Sequence, residues 1–141
     1  MDREYLKDRL WDEGKLFLQR LVERHFPVAV AFWGRKYGID SCHLYIASSR
    51  VDQYGLRQVY GEINDCLSSE AFPSLDPLSI TLLKSEDPVA RSAVELRNSD
   101  TQRMPGYYLL GAHHGGPLMG GTLFEDVWIY PEVSEPSTTA P

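Results

Sequence analysis

Apolar residues recur at three- and four-residue steps over residues 2–24, where Leu6, Leu10, Phe17 and Leu21, flanked by Leu18 and Val22, alternate with charged positions. That spacing predicts an amphipathic helix. Gly14 interrupts it. On the packed face this glycine would let another element come close, whereas on the exposed side it would only weaken the helix by about 1 kcal/mol. The period then changes. Residues 27–34, PVAVAFWG, are apolar on both parities, as expected of a strand covered on both faces in the middle of a sheet. A turn, RKYGID, leads to SCHLYIAS (residues 41–48), where Cys42, Leu44 and Ile46 share one face and His43, Tyr45 and Ala47 share the other. The two segments read as an antiparallel pair of strands.

Ser49-Arg50-Val51-Asp52 resembles a capping box with aspartate in the place of glutamate, and Leu56, Val59, Tyr60, Ile63 and Leu67 follow at helical spacing. A second helix is therefore predicted from residue 49 to about 68. EAFPSLDP reads as a loop, and residues 78–84, LSITLLK, alternate as a third strand. Asp87-Pro88 is a strong helix start for residues 88–98, because the aspartate accepts backbone N–H bonds and proline costs no bond at the first helical position. YYLLGA and TLFEDVWIY supply two further strands. Residues 131–141, PEVSEPSTTAP, have almost no bulky apolar content and are expected to be a disordered tail.

The resulting order, α-β-β-α-β-α-β-β, predicts an α/β (α+β) fold: one domain over residues 1–130, with three helices packed on a mixed five-stranded sheet. Strand-helix-strand units favour right-handed parallel crossovers, and the short connections at either end favour antiparallel hairpins. A length of 141 residues with 43% apolar and 24% charged content suits one soluble core. No apolar run approaches the ~18 residues needed to cross a bilayer. The charged start lacks the pattern of a secretion signal, which makes the cytoplasm the expected location. Cys42 and Cys66 lack CxxC spacing and read as reduced, buried thiols. A net charge of −6, with no Lys or Arg after Arg103, argues against binding to nucleic acid or to an anionic membrane.

Chemistry concentrates around GAHHGGPLMGG (residues 111–121), which holds five of the eleven glycines and the pair His113-His114. Adjacent histidines on an extended strand point to opposite faces, so they do not jointly chelate a metal, and none is predicted. A phosphate cradle would run into a helix, whereas these glycines run into a strand. The stretch reads as a long hairpin loop, able to border a binding groove through Gly115 and Gly116. A turn centred near Pro117-Leu118 would put Glu125 and Asp126 opposite Leu110 and Leu109. A second candidate joins His43 and Tyr45 to Phe124, Asp126, Trp128 and Tyr130. Were these to share one face, a histidine and a carboxylate among aromatic rings would form a ligand groove. The competing reading is a second core with His43 hydrogen-bonded at its edge.

Two functions follow. The first is a noncatalytic, acidic binding or protein-interaction module that docks to another protein, or to a second copy, through residues 2–24 or the hairpin region. Trp11 and Tyr5 lie outside the main helical stripe and support it. The second is a small hydrolase or transferase using His43, His113 or His114 with Asp126, and Tyr45 and Trp128 as ligand contacts. No cofactor is predicted for either.

Overall fold

The computed structural model describes residues 3–36, 38, 41–69, 72, 75–99, 108–110 and 118–130, and for 3–8, 69, 99, 108–110, 125 and 126 the backbone alone. Its elements are α1 (Arg3–Glu23), β1 (Val30–Lys36), β2 (His43–Ser48), α2 (Ser49–Tyr54), α3 (Leu56–Ser69), β3 (Ile80–Lys84), α4 (Pro88–Ser99), β4 (Tyr108–Leu110), β5 (Leu118–Met119) and β6 (Thr122–Ile129), with a single 3-10 turn, Pro77–Ser79, before β3. The fold is mixed α/β, with six strands and four α-helices among the described residues where the hydrophobic pattern predicts five and three.

The extra helix comes from a break. Residues 49–68 read as one helix, but Gly55 takes φ +86° and divides them into α2 and α3. The cap also moves by one residue: Ser48 receives the Arg50 N–H, and Asp52 leaves its expected capping role to accept from the Ser85 backbone N–H and hydroxyl. This aspartate fastens α2 to the end of β3. The extra strand is β5, cut from the predicted hairpin loop.

The sheet runs β3-β2-β1-β6-β4, with β5 on β6. As its doubly apolar sequence requires, β1 lies at the centre. It pairs antiparallel with β2 and with β6, and β2 pairs parallel with β3 through the α2–α3 crossover. The second strand-helix-strand unit does not repeat that geometry, because β4 crosses to the far side of β6 and pairs antiparallel with it.

Two cores sandwich the sheet. On one face, Phe17, Leu18 and Leu21 of α1 and Val59, Ile63 and Cys66 of α3 pack on Ala31, Trp33, Leu44, Ile46 and Leu82. On the other, Ala90 and Ala93 of α4 pack on Val30, Phe32, Tyr45, Phe124, Val127 and Ile129, joined by Met119 of β5. The small residues of α4 bring its backbone close to the sheet. Arg97, buried near its end, donates to the Ala29 carbonyl at 3.0 Å and ties α4 to the approach to β1.

Gly14 lies on the packed face of α1. A Cβ there would collide with Tyr130 Oη and come within 3.0 Å of Trp33 Nε1. Tyr130 Oη accepts from Trp33 Nε1 at 2.9 Å and donates to the Trp11 carbonyl at 2.8 Å, while the Trp11 and Tyr130 rings stack 3.9 Å apart. Trp11 is therefore a packing residue of this core, not a side chain left outside the helical stripe. Burial pushes the Tyr130 hydroxyl well above its ordinary pKa, so it remains a neutral donor.

The outer edge of β3 is closed by a side chain. Tyr60 Oη accepts the Leu82 N–H at 3.0 Å and donates to the Ile80 carbonyl at 3.3 Å, standing where the next strand would pair.

Candidate functional site

His43 opens β2 opposite Gly34 of β1. Its Nδ1 lies 3.2 Å from Thr81 Oγ1 and its Nε2 3.3 Å from Ser41 Oγ, so both ring nitrogens are spent on hydroxyls and stitch β2 to β3. Asp126 lies on β6, with β1 between it and β2. Two strand spacings separate their backbones by roughly 10 Å. Tyr45 is buried in the second core, stacked on Phe32 at 4.8 Å with rings nearly parallel, and burial raises its hydroxyl pKa. His113, His114, Gly115 and Gly116 lie outside the described residues.

The predicted polar-aromatic face does not form as a unit. Between Arg35 and Lys36 the β6 partner jumps from Asp126 to Phe124, leaving Glu125 as the extra residue of a β-bulge. Parity reverses across it. Phe124 joins Phe32 and Tyr45 on the α4 side, while Trp128 and Tyr130 pack with Trp33 on the α1 side. Among the described residues no three His, Cys, Asp or Glu side chains converge in a way that could hold a metal ion.

The second half of the glycine-rich stretch is a tight hairpin. The turn lies at Gly120-Gly121, not near Pro117-Leu118: Met119 pairs with Thr122 and Leu118 with Leu123, and both glycines have positive φ, 57° and 85°. Positive φ at both central positions is what the type I′ turn demands. On β4 the register puts Leu110 opposite Asp126 and Leu109 opposite Val127, one residue from expectation.

This hairpin is anchored on one side and apolar on the other. Gly120 presses on the backbone of Pro88 and Val89 and donates its N–H to Ser92 Oγ at 3.0 Å, and Met119 is wholly buried. Alternation then turns Leu118 and Leu123 outward as a direct cross-strand pair, 67% and 38% exposed. Two leucines are thus held in water on a hairpin whose turn and inner face are fixed to the body.

Sequence reasoning missed a second feature, a cavity of about 210 Å³ lined by Leu21, Arg24, Phe26, Arg50, Glu62 and Asp65. Its floor forms where α1 ends: the Phe26 N–H returns to the Leu21 carbonyl and the His25 N–H to that of Val22, with His25 at φ +65°. This Schellman turn folds Phe26 back against Leu21. On the wall, Arg50 donates from Nε and Nη2 to the two carboxylate oxygens of Glu62, at 2.8 and 2.5 Å, while its guanidinium lies over the Tyr54 ring at 4.8 Å and the Phe26 ring at 5.9 Å. The hydrogen-bonded fork lowers the Glu62 pKa and raises that of Arg50.

No helix among the described residues is long and apolar enough to cross a membrane. No protein-family model matches the chain, nor does any curated protein or solved structure.

Proposed function

We propose that this chain is a noncatalytic interaction module that docks to another protein through the β5–β6 hairpin. The observation that carries the reading is the Leu118–Leu123 pair, held outward on a hairpin whose opposite side is pinned to α4. A preformed apolar anchor loses little conformational freedom on association, which is where binding elements gain affinity. The state of His43 supports the same reading, since both of its ring nitrogens face hydroxyls of Ser41 and Thr81 and hold β2 to β3. Two cysteines outside any disulfide, Cys42 half-buried and Cys66 in the core, suit the reducing conditions of the cytoplasm as its place of work.

Photocrosslinking in the cells that make the protein tests this. A benzophenone amino acid is placed at Leu118 and, as a control, at Leu78, which is 86% exposed beside β3. The expected result is one discrete adduct from position 118, absent at 78 and lost when Leu123→Glu is added. The same adducts at both positions, or uncrosslinked protein alone at 118, would overturn it.

A further inference from the structure

We propose that the cavity between the end of α1, α2 and α3 binds a small zwitterion, specifically an α-amino acid with an aliphatic side chain. It lies on the face of the sheet opposite Met119 and the hairpin, so this inference and the docking role stand or fall separately.

The lining selects the ligand class. Arg24 and Arg50 contribute two positive charges, Glu62 and Asp65 two negative, over a floor of buried Leu21 and Phe26. A simple anion would meet both carboxylates, and a simple cation both guanidiniums. A purely apolar molecule would strip water from the charged lining and offer it no hydrogen bond of its own. A molecule carrying both signs and an apolar body can meet Arg50 with its carboxylate, Asp65 with its ammonium and the floor with its side chain. At about 210 Å³ the cleft is smaller than pockets that take drug-sized ligands and suits a molecule the size of one amino acid.

Specific atoms are ready for each end. The fork to Glu62 and the Tyr54 and Phe26 rings fix the plane of the Arg50 guanidinium, yet they use only its Nε and Nη2 side. Nη1 makes no hydrogen bond among the described residues, leaving an oriented donor edge for the ligand carboxylate. Asp65 follows Glu62 by one helical turn on the same face of α3 and forms no ion pair among the described residues, which makes it the acceptor for the ammonium.

Amide NMR titration of the full chain tests the assignment, using L-leucine, isopentylamine (no carboxylate) and 4-methylpentanoate (no ammonium) as probes. Leucine should saturably shift residues 21–26, 50 and 62–65 with a Kd of about 1 mM or tighter, and each singly charged analogue should bind at least about tenfold more weakly. Asp65→Asn should weaken leucine by about tenfold and leave 4-methylpentanoate unchanged, with the remaining spectrum showing an intact fold. Absence of saturable shifts with leucine up to about 10 mM, equal binding of either analogue, or undiminished binding to the Asp65→Asn protein would overturn the proposal.

Discussion

Replacing Gly14 with alanine sets two physical effects of opposite sign against each other. In an exposed helix the change would stabilise by about 1 kcal/mol. Here the new methyl carbon would lie on Tyr130 Oη, with Trp33 Nε1 at 3.0 Å and Tyr130 Cζ at 3.2 Å. The tyrosine cannot retreat, because it is 2% exposed and its ring is stacked on Trp11. Overpacking of this kind costs about 1–3 kcal/mol. Displacing Oη also breaks its bonds to Trp33 Nε1 and the Trp11 carbonyl, and an orphaned buried donor costs about 1–3 kcal/mol more. After the propensity gain, a net loss of about 3 kcal/mol is expected. With a urea m-value of about 2 kcal/mol/M, the unfolding midpoint, followed by tryptophan fluorescence, should fall by about 1.5 M. Tyr130→Phe removes the colliding oxygen, so the double variant should be less destabilised than the sum of the single ones, by about 1–2 kcal/mol. A Gly14→Ala midpoint at or above that of the parent would refute the close-contact argument.

Two further outcomes follow from other contacts. Tyr60→Phe takes away the hydroxyl that closes β3, so stability should fall by about 1–3 kcal/mol in urea titration. The bared edge should also raise the concentration-dependent mass seen by light scattering, and an unchanged mass would show that the hydroxyl does not guard the edge. The Glu62 pKa is lowered in the folded state by its hydrogen bonds from Arg50. Its contribution to stability is therefore present above the unfolded glutamate value of about 4.3 and is lost as pH falls below that toward the folded pKa. Because the pair is about 30% exposed, solvent limits the effect to roughly 1 kcal/mol or less. Acid titration of unfolding midpoints should be shallower below pH ~4.3 in Glu62→Gln than in the parent; identical slopes would remove the pair from the account.

Elements whose pattern depends on nearby residues were readable in the sequence. The α1 stripe, the doubly covered β1 and the alternation of β2 all follow from local period, and Phe17, Leu44, Ile46 and Tyr45 are buried accordingly. What failed was parity and continuity. Nothing in TLFEDVWIY marks Glu125 as an extra residue, and constant alternation would put Phe124, Trp128 and Tyr130 together. The bulge splits them between two cores. Continuity of residues 49–68 would likewise put Arg50 and Glu62 about 18 Å apart along one helix axis. The break at Gly55 brings them into hydrogen-bond contact, so the cavity wall had no local signature. The Gly120-Gly121 turn was legible in principle, since Gly-Gly is a hairpin signal, but Gly115-Gly116 and Pro117 compete with it nearby.

The central position of β1 also governs the order in which the molecule can be completed. One of its neighbours, β2, begins at His43 and is available soon after β1 leaves the ribosome, whereas the other, β6, does not begin until Thr122. Until then the middle strand of the finished sheet is an unsatisfied edge on a nascent chain, and Trp33 lacks the hydroxyl that will later receive its N–H. Contacts of such long sequence separation form slowly and leave partly made chains prone to association. Chains halted before β6 are therefore the form of this protein with the greatest need of a chaperone.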